Sequence, residues 1–318
     1  MQIHQLRYFC AVAKEGSFTR AAEHEHVAQP SLSQQVRKLE DELGARLLDR
    51  LGRTVRLTSF GQAFMQRAEA ILREVSDAKR EMEEMAGNDR GRIAVGAIPT
   101  VAPYFLPERL ASFALKFPGV RVSVVEEITP VLLERLQEAA IDMAVLALPV
   151  PGEQFLCEEL LREPLYLVVP RDHRLASKSE VRLKEIEGDA FLLLKEGHCF
   201  GENTLAACGR ARLEPNVVFE SGQFATILAM VAANTGVSVV PQMALEKREG
   251  CRFIPIADEG AYRRVGVVQL KQHFCGRAQQ AFLQHLQKSA TQASTPKLRP
   301  PAPQRLASQR TERIVRRG

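Results

Sequence analysis

Ala28-Gln29-Pro30-Ser31-Leu32-Ser33-Gln34-Gln35-Val36-Arg37-Lys38-Leu39-Glu40-Asp41-Glu42-Leu43-Gly44 is the stretch that decides the fold. Proline is tolerated in the first turn of a helix, where its missing N–H costs nothing, so Gln29-Pro30-Ser31 opens one. Leu32, Val36, Leu39 and Leu43 then recur at helical spacing on one apolar face. Upstream, Leu6, Phe9, Val12 and Ala13 mark an earlier helix, which Gly16-Ser17 stops before capping a short second one through Phe18, Ala21 and Ala22. The His24-Glu25-His26 turn joins the second helix to the third, which is helix-turn-helix grammar. Downstream, Leu48-Asp49-Arg50 and Arg53 to Thr58 flank Leu51-Gly52 as a short ribbon or wing.

Such a unit reads base edges with the first residues of its second motif helix. The DNA-facing candidates are therefore Gln29, Pro30, Ser31, Ser33, Gln34 and Arg37. Gln pairs with adenine and Ser with several base edges, while Arg37 and the wing residues Arg50, Arg53 and Arg56 supply charge for phosphates.

From Thr58-Ser59 a long helix is expected to run to about Asn88. Phe64, Ala68, Ile71, Val75, Ala78, Met82 and Met85 alternate four and three residues apart along it. This narrow seam suits a partner helix and predicts dimerisation. Gly87-Asn88-Asp89-Arg90-Gly91 then breaks it.

Beyond Gly91 the pattern changes to alternating short strands and helices, the grammar of α/β architecture. Strands are expected at 92–98, 121–126 and 141–148, with helices at 103–117 and 130–139, making a first lobe. Strands at 165–169, 190–194, 217–220 and 237–240 and a helix at 224–234 make a second. A strand at 264–270 and a helix at 276–287 return to the first lobe. The expected organisation is a winged helix-turn-helix (1–62), a linker and dimerisation helix (63–90), a two-lobed α/β sensor (91–288) and a basic disordered tail (289–318).

The whole chain has 318 residues, 45% hydrophobic and 25% charged, enough for two or three folded units. Its net charge of +5 is misleading, because residues 289–318 hold seven Lys/Arg against one acid and leave the rest near neutral. No apolar run approaches the roughly 18 residues of a membrane span. The start lacks a signal-peptide pattern, so a cytoplasmic protein is expected. Six cysteines, Cys10, Cys157, Cys199, Cys208, Cys251 and Cys275, do not make a disulfide scaffold in such a chain.

Open α/β lobes collect ligands at the carboxyl ends of their strands, beside helix N-termini. Ile98-Pro99-Thr100, Thr129-Pro130 and Gly197-His198-Cys199 occupy such places and would converge on one cleft. Thr100 and Thr129 suit a small organic anion. Cys199 stands at an expected helix start, beside His198 and near Lys195, three influences that favour a thiolate. Cys208 follows nine residues later. In one helix the two sulfurs would lie about 13 Å apart along the axis and on opposite faces. A disulfide needs Cα atoms within roughly 7 Å, so joining them would require the segment to unwind or move. The other reading is that both are ordinary free cysteines. No metal or cofactor is expected: His198, Cys199 and Cys208 lack a fourth zinc ligand.

The N-terminal block, from FCAVAKEGSFTRAAEHEH through AQPSLSQQVRKLEDELG to RTVRLTSFG, resembles the winged DNA-binding region of LysR-type transcriptional regulators. That resemblance implies a two-lobed sensor like a periplasmic binding protein, covering residues to about 288. LLLKEGHC with Cys208 at its interval, and IPTVAPYFLP earlier, are similar to the hydrogen peroxide-sensing, OxyR-like branch. The branch implies that Cys199 is oxidised by peroxide to a sulfenic acid and resolved by Cys208 as a disulfide. It also implies that Thr100 and Thr129 hold peroxide, that His198 is their polar neighbour and that Arg264 steadies the thiolate. Gly201-Glu202 stands where the branch carries Arg-Asp, a departure that removes one stabiliser of the thiolate. The implied assembly is a homotetramer of two dimers on an imperfect inverted repeat of double-stranded DNA, acting as an activator with RNA polymerase as a further partner. The alternatives are a regulator responding to a small organic anion in the same cleft and a thiol peroxidase. Residues 1–62 count against the peroxidase, and the missing signal segment against a secreted binding protein.

Overall fold

The computed structural model describes residues 1–51, 54–85, 91–195, 199–271 and 274–293. The N-terminal unit comprises α1 (Ile3–Glu15), α2 (Phe18–His24), α3 (Gln29–Leu43) and an antiparallel wing of β1 (Leu48–Leu51) and β2 (Thr54–Leu57). Gly16 ends α1 at φ 59, a left-handed conformation that glycine adopts without steric cost, and Ser17 Oγ accepts from Arg20 N at the start of α2. Phe9 and Val12 of α1 close with Leu32, Val36 and Leu39 of α3 into a small core.

The long helix α4 (Ser59–Met85) does more than its seam suggests. Ala68 is fully buried, and the Phe64 ring lies 5.5 Å from that of Phe9, so these two positions belong to the chain's own N-terminal core and are not free for a partner. The correction has a simple cause: α1 lies along the first half of α4 and takes the same face. Ile71, Ala78 and Met82 are exposed and Val75 is half-buried, which leaves the later part of the seam available; the Met85 side chain lies outside the described part.

The remainder is α/β. β3 (Arg92–Ala97), α5 (Ala102–Lys116), β4 (Arg121–Glu126), α6 (Thr129–Gln137) and β5 (Met143–Leu148) form the first lobe, with β3 parallel to both β4 and β5. β6 (Phe155–Pro170) runs on into the second lobe, which adds β7 (Ala190–Leu194), α7 (Cys199–Arg210), β8 (Asn216–Ser221), α8 (Phe224–Ala232), β9 (Ser238–Pro241) and β10 (Cys251–Pro255). β11 (Tyr262–Leu270) returns antiparallel to β5, and α9 (Arg277–Ala293) packs back on the first lobe through Phe282 and Leu286. The expected crossover is therefore present. Each lobe has its own core: Val95, Phe113 and Leu146 belong to one, Leu167, Phe191 and Leu228 to the other.

Two strands depart from expectation. β6 starts ten residues before the expected 165, because Phe155 to Pro164 pairs along the whole of β11. That half is rich in charge and reads as a loop in isolation; its ladder partner makes it a strand. β10 was not anticipated and forms by pairing with the second half of β6.

Candidate DNA-reading face and redox cleft

On α3, Gln29, Pro30, Ser31, Gln34 and Arg37 are exposed, as is neighbouring Lys38. Ser33 is not: it is 8% exposed, because a helix rotates about 100° per residue and carries this position to the flank of the Leu32, Val36 and Leu39 stripe, at the edge of the core. Gln35 is held by Gln5, whose Nε2 donates to its Oε1 at 3.1 Å. On the wing, Arg56 is exposed, and the exposed Arg50 lays its guanidinium 4.7 Å from the Phe18 ring centre. Arg53 lies outside the described residues. The unit thus offers a polar helix start and flanking cations on one compact core.

In the sensor, parallel pairing of β3 with β4 brings the carboxyl ends of both strands to one edge of the sheet. Thr100 and Thr129 each follow their strand by three residues. Thr100 is 2% exposed. Thr129 begins α6, and its Oγ1 is buried with no hydrogen-bond partner among the described residues. An unpaired buried hydroxyl costs about 1 to 3 kcal/mol, which a small polar ligand would relieve.

Arg263 organises the cleft. Its Nη1 donates to Thr100 Oγ1 and its Nη2 to Thr100 O, both at 3.0 Å. Its Nε donates to Glu163 Oε1 of β6, and Glu163 Oε2 accepts from Met243 N at 2.8 Å. The guanidinium also lies 5.2 Å from the ring centre of Phe200, the second residue of α7. Both members of the Arg263–Glu163 pair are buried, so each charge depends on the other. Phe200 in turn meets Phe224 edge-on at 5.1 Å, and Phe224 meets Tyr104 across the lobes at 6.4 Å.

Arg264, the basic residue expected here, is turned away. Neighbours on a strand point to opposite faces, and Arg264 donates to Glu159 Oε2 on the exposed side while Arg263 takes the inner position. Arg263, Glu163 and Phe200 are functional candidates that the sequence reading missed. The Arg263-Arg264 pair was the available signal, but nothing in it says which arginine faces inward.

Cys199 is the first residue of α7, and His198 lies outside the described residues. Cys208 lies on the same helix and is fully buried; burial, assisted by the negative charge of Asp258, pushes its thiol up to about 11. With both residues in one helix, their Cα atoms are separated by about 13 Å along the axis. Among the described residues no cluster of three or more His, Cys, Asp or Glu could hold a metal ion. No helix among them is long and apolar enough to cross a membrane.

Comparison with known proteins places these features. Residues 3–62 match the bacterial regulatory helix-turn-helix protein, lysR family, and residues 86–291 match the LysR substrate binding domain. The chain belongs to the LysR family of transcriptional regulators. It is 34% identical over 271 residues to the DNA-binding transcriptional dual regulator OxyR of Escherichia coli K12, covering 84% of this chain and 89% of that one. A full-length OxyR of Pseudomonas aeruginosa, in a cysteine-to-aspartate form, is 31% identical with a TM-score of 0.70 over 90% of this chain and 94% of that chain. A cysteine mutant of Corynebacterium glutamicum OxyR with hydrogen peroxide bound is 30% identical with a TM-score of 0.59, covering 92% of each chain.

Proposed function

We propose that this LysR-family regulator binds DNA through α3 and its wing and responds to hydrogen peroxide at Cys199. The observation that carries the reading is Arg263, which joins Thr100 to the first turn of α7, the turn that begins with Cys199. The OxyR relatives support it, one of them in a peroxide-bound form. The Cys199 thiolate attacks one peroxide oxygen; the S–O bond forms, the O–O bond breaks, and hydroxide leaves and takes a proton to become water. Cys208 then attacks the sulfenic sulfur. The S–S bond forms, the S–O bond breaks and a second water leaves, so two thiols have supplied the two electrons. Thr100, Thr129 and His198 hold the peroxide. Because Cys199 and Cys208 share α7, the disulfide requires that helix to open, and opening converts oxidation into movement of the lobes.

On the DNA side, Gln29, Pro30, Ser31, Gln34 and Arg37 address base edges, and Arg50, Arg53 and Arg56 address phosphates. The segments 1–62, 63–90 and 91–293, the last taking in the whole of α9 and so ending beyond the expected 288, serve as reader, dimerising linker and sensor, with the basic residues that follow as tail. Ile71, Val75, Ala78, Met82 and Met85 pair two chains, and two dimers sit on an inverted repeat in the cytoplasm, where the oxidised form activates transcription with RNA polymerase. The test is footprinting of an operator fragment with wild type and Cys199→Ser. Peroxide should change the wild-type footprint and leave that of the variant unchanged; identical shifts in both would reject Cys199 as the sensor.

One observation favours a second reading, response to a small organic anion. Beside α7, and without Thr100 or Thr129 in its wall, a cavity of about 740 Å³ is lined by three arginines, Arg210, Arg263 and Arg264, against two carboxylates, Asp258 and Glu259, with Asn203 and Tyr262. A carboxylate that raises the thermal midpoint of wild type but not of Arg210→Ala would support it.

A further inference from the structure

The inner face of α7 carries two features that pull in opposite directions. Gly201, in its first turn, sits against the end of β7 so closely that a Cβ there would lie 2.5 Å from Leu194 O and 3.6 Å from Lys195 O. Only a residue without a side chain lets the helix seat at this depth. One turn on, Thr204 is 2% exposed, and its Oγ1 has no hydrogen-bond partner among the described residues. Thr204 shares the face with Phe200, Ala207 and Cys208, all of them buried. At the far end of the helix, Arg210 Nη2 donates to Gly260 O at 3.2 Å.

We propose that Gly201 and Thr204 are positioning residues that set the opening equilibrium of α7: Gly201 holds the helix shut on β7, and Thr204 loads the shut state. Close seating of Gly201 maximises contact between the first turn and the β7 backbone. A side chain at that place meets a carbonyl oxygen at the end of a strand, which cannot swing aside as a flexible side chain would. The Thr204 hydroxyl gives up its water when α7 closes and recovers it when α7 opens, so it favours the open form. The helix is thereby poised within reach of a local opening without unfolding of the lobe. This inference rests on the reading of Cys199 and Cys208 as a redox pair, and it deepens that reading by naming what governs access to the second thiol.

The test needs no peroxide. Reduced wild type, Gly201→Ala, Thr204→Val and Gly209→Ala are treated with iodoacetamide, and alkylation of each cysteine is followed by peptide mass spectrometry. Gly209 lies on the same helix with nothing within 4 Å of its would-be Cβ, so Gly209→Ala reports the helix-propensity gain alone. Gly201→Ala should speed Cys208 alkylation roughly ten-fold. Gly209→Ala should slow it about two- to five-fold, and Thr204→Val about five-fold. Cys10 and Cys251, buried in other elements, serve as references and should stay slow in all four proteins. Opposite signs for the two glycines, with Thr204→Val slowing, sustain the proposal. It is overturned if Gly201→Ala leaves Cys208 as slow as wild type or exposes Cys10 and Cys251 along with it, or if Thr204→Val speeds Cys208. Failure of the peroxide reading would show separately, as a Cys199 that remains reduced under peroxide while these alkylation rates keep their order.

Discussion

Arg263 grips Thr100 twice, through the side-chain hydroxyl and the main-chain carbonyl, each at 3.0 Å. Thr100 follows β3 in the first lobe, while the Glu163 that balances Arg263 also accepts from Met243 N beyond β9 in the second. One buried guanidinium therefore ties the edge of one lobe to the other and carries the first turn of α7 on its face.

Loss of that guanidinium should be severe. Arg263→Ala strands the Glu163 carboxylate in a dry site, and breaking a buried pair in this way costs about 3 to 5 kcal/mol. Arg264→Ala removes a partly exposed pair with Glu159 and should cost less than about 1 kcal/mol. Urea denaturation of the two variants checks the contrast; equal losses would mean that the buried pair has no special weight.

Cys208 begins as a protonated, sealed thiol, since burial pushes it up to about 11. The second step of oxidation should therefore lag behind the first. In wild type treated with peroxide, dimedone added early should label Cys199 as sulfenic acid, and the labelled fraction should fall as the disulfide forms. Cys208→Ser should keep the label and leave binding to reduced-state operator DNA unchanged. A wild type that crosslinks with no interceptable sulfenic acid would contradict the lag.

His285 on α9 lies 2.8 Å from Ser112 Oγ and 3.1 Å from Arg109 O of α5. Burial, together with the positive charges of Lys116 and Arg109, lowers its pKa from the ordinary histidine value. The unfolded chain then takes up this proton before the folded one does. The stability contributed by neutral His285 is complete above about pH 6.5 and is lost as pH falls below it, until the folded pKa is passed. His285→Gln should flatten the stability profile of denaturant midpoints in that window. An unchanged slope would show that other groups set it.

The two sides of α3 should behave differently on DNA. Gln34→Ala, at an exposed position, should cost about 1 to 3 kcal/mol and relax preference at one base pair. Arg56→Ala should weaken binding to every sequence alike and reduce the salt slope by about 1. Ser33→Ala changes a residue buried at the edge of the core and should leave base preference intact. Binding titrations over a panel of operator variants at two salt concentrations separate these outcomes.

What could be read in advance follows the physics of each segment. α3 was legible because proline near its start, a helical apolar stripe and a glycine stop agree over one short window. The charged first half of β6 was not, because only its pairing with β11 makes it a strand. Heptad spacing in α4 cannot say that Phe64 and Ala68 are taken by α1 within the same chain. Adjacent arginines at 263 and 264 look alike until strand direction sends one inward and the other outward. Thr100 and Thr129 were found because strand ends are where such lobes bind, but the guanidinium that serves Thr100 comes from a strand 163 residues later.

The most direct measurement is thiol mapping of the purified protein after stoichiometric hydrogen peroxide, by alkylation and peptide mass spectrometry, with Cys199→Ser alongside. Wild type should form a Cys199 to Cys208 crosslink while the variant forms none. Both thiols remaining free at that dose would contradict the peroxide switch and turn the search to a small-molecule effector.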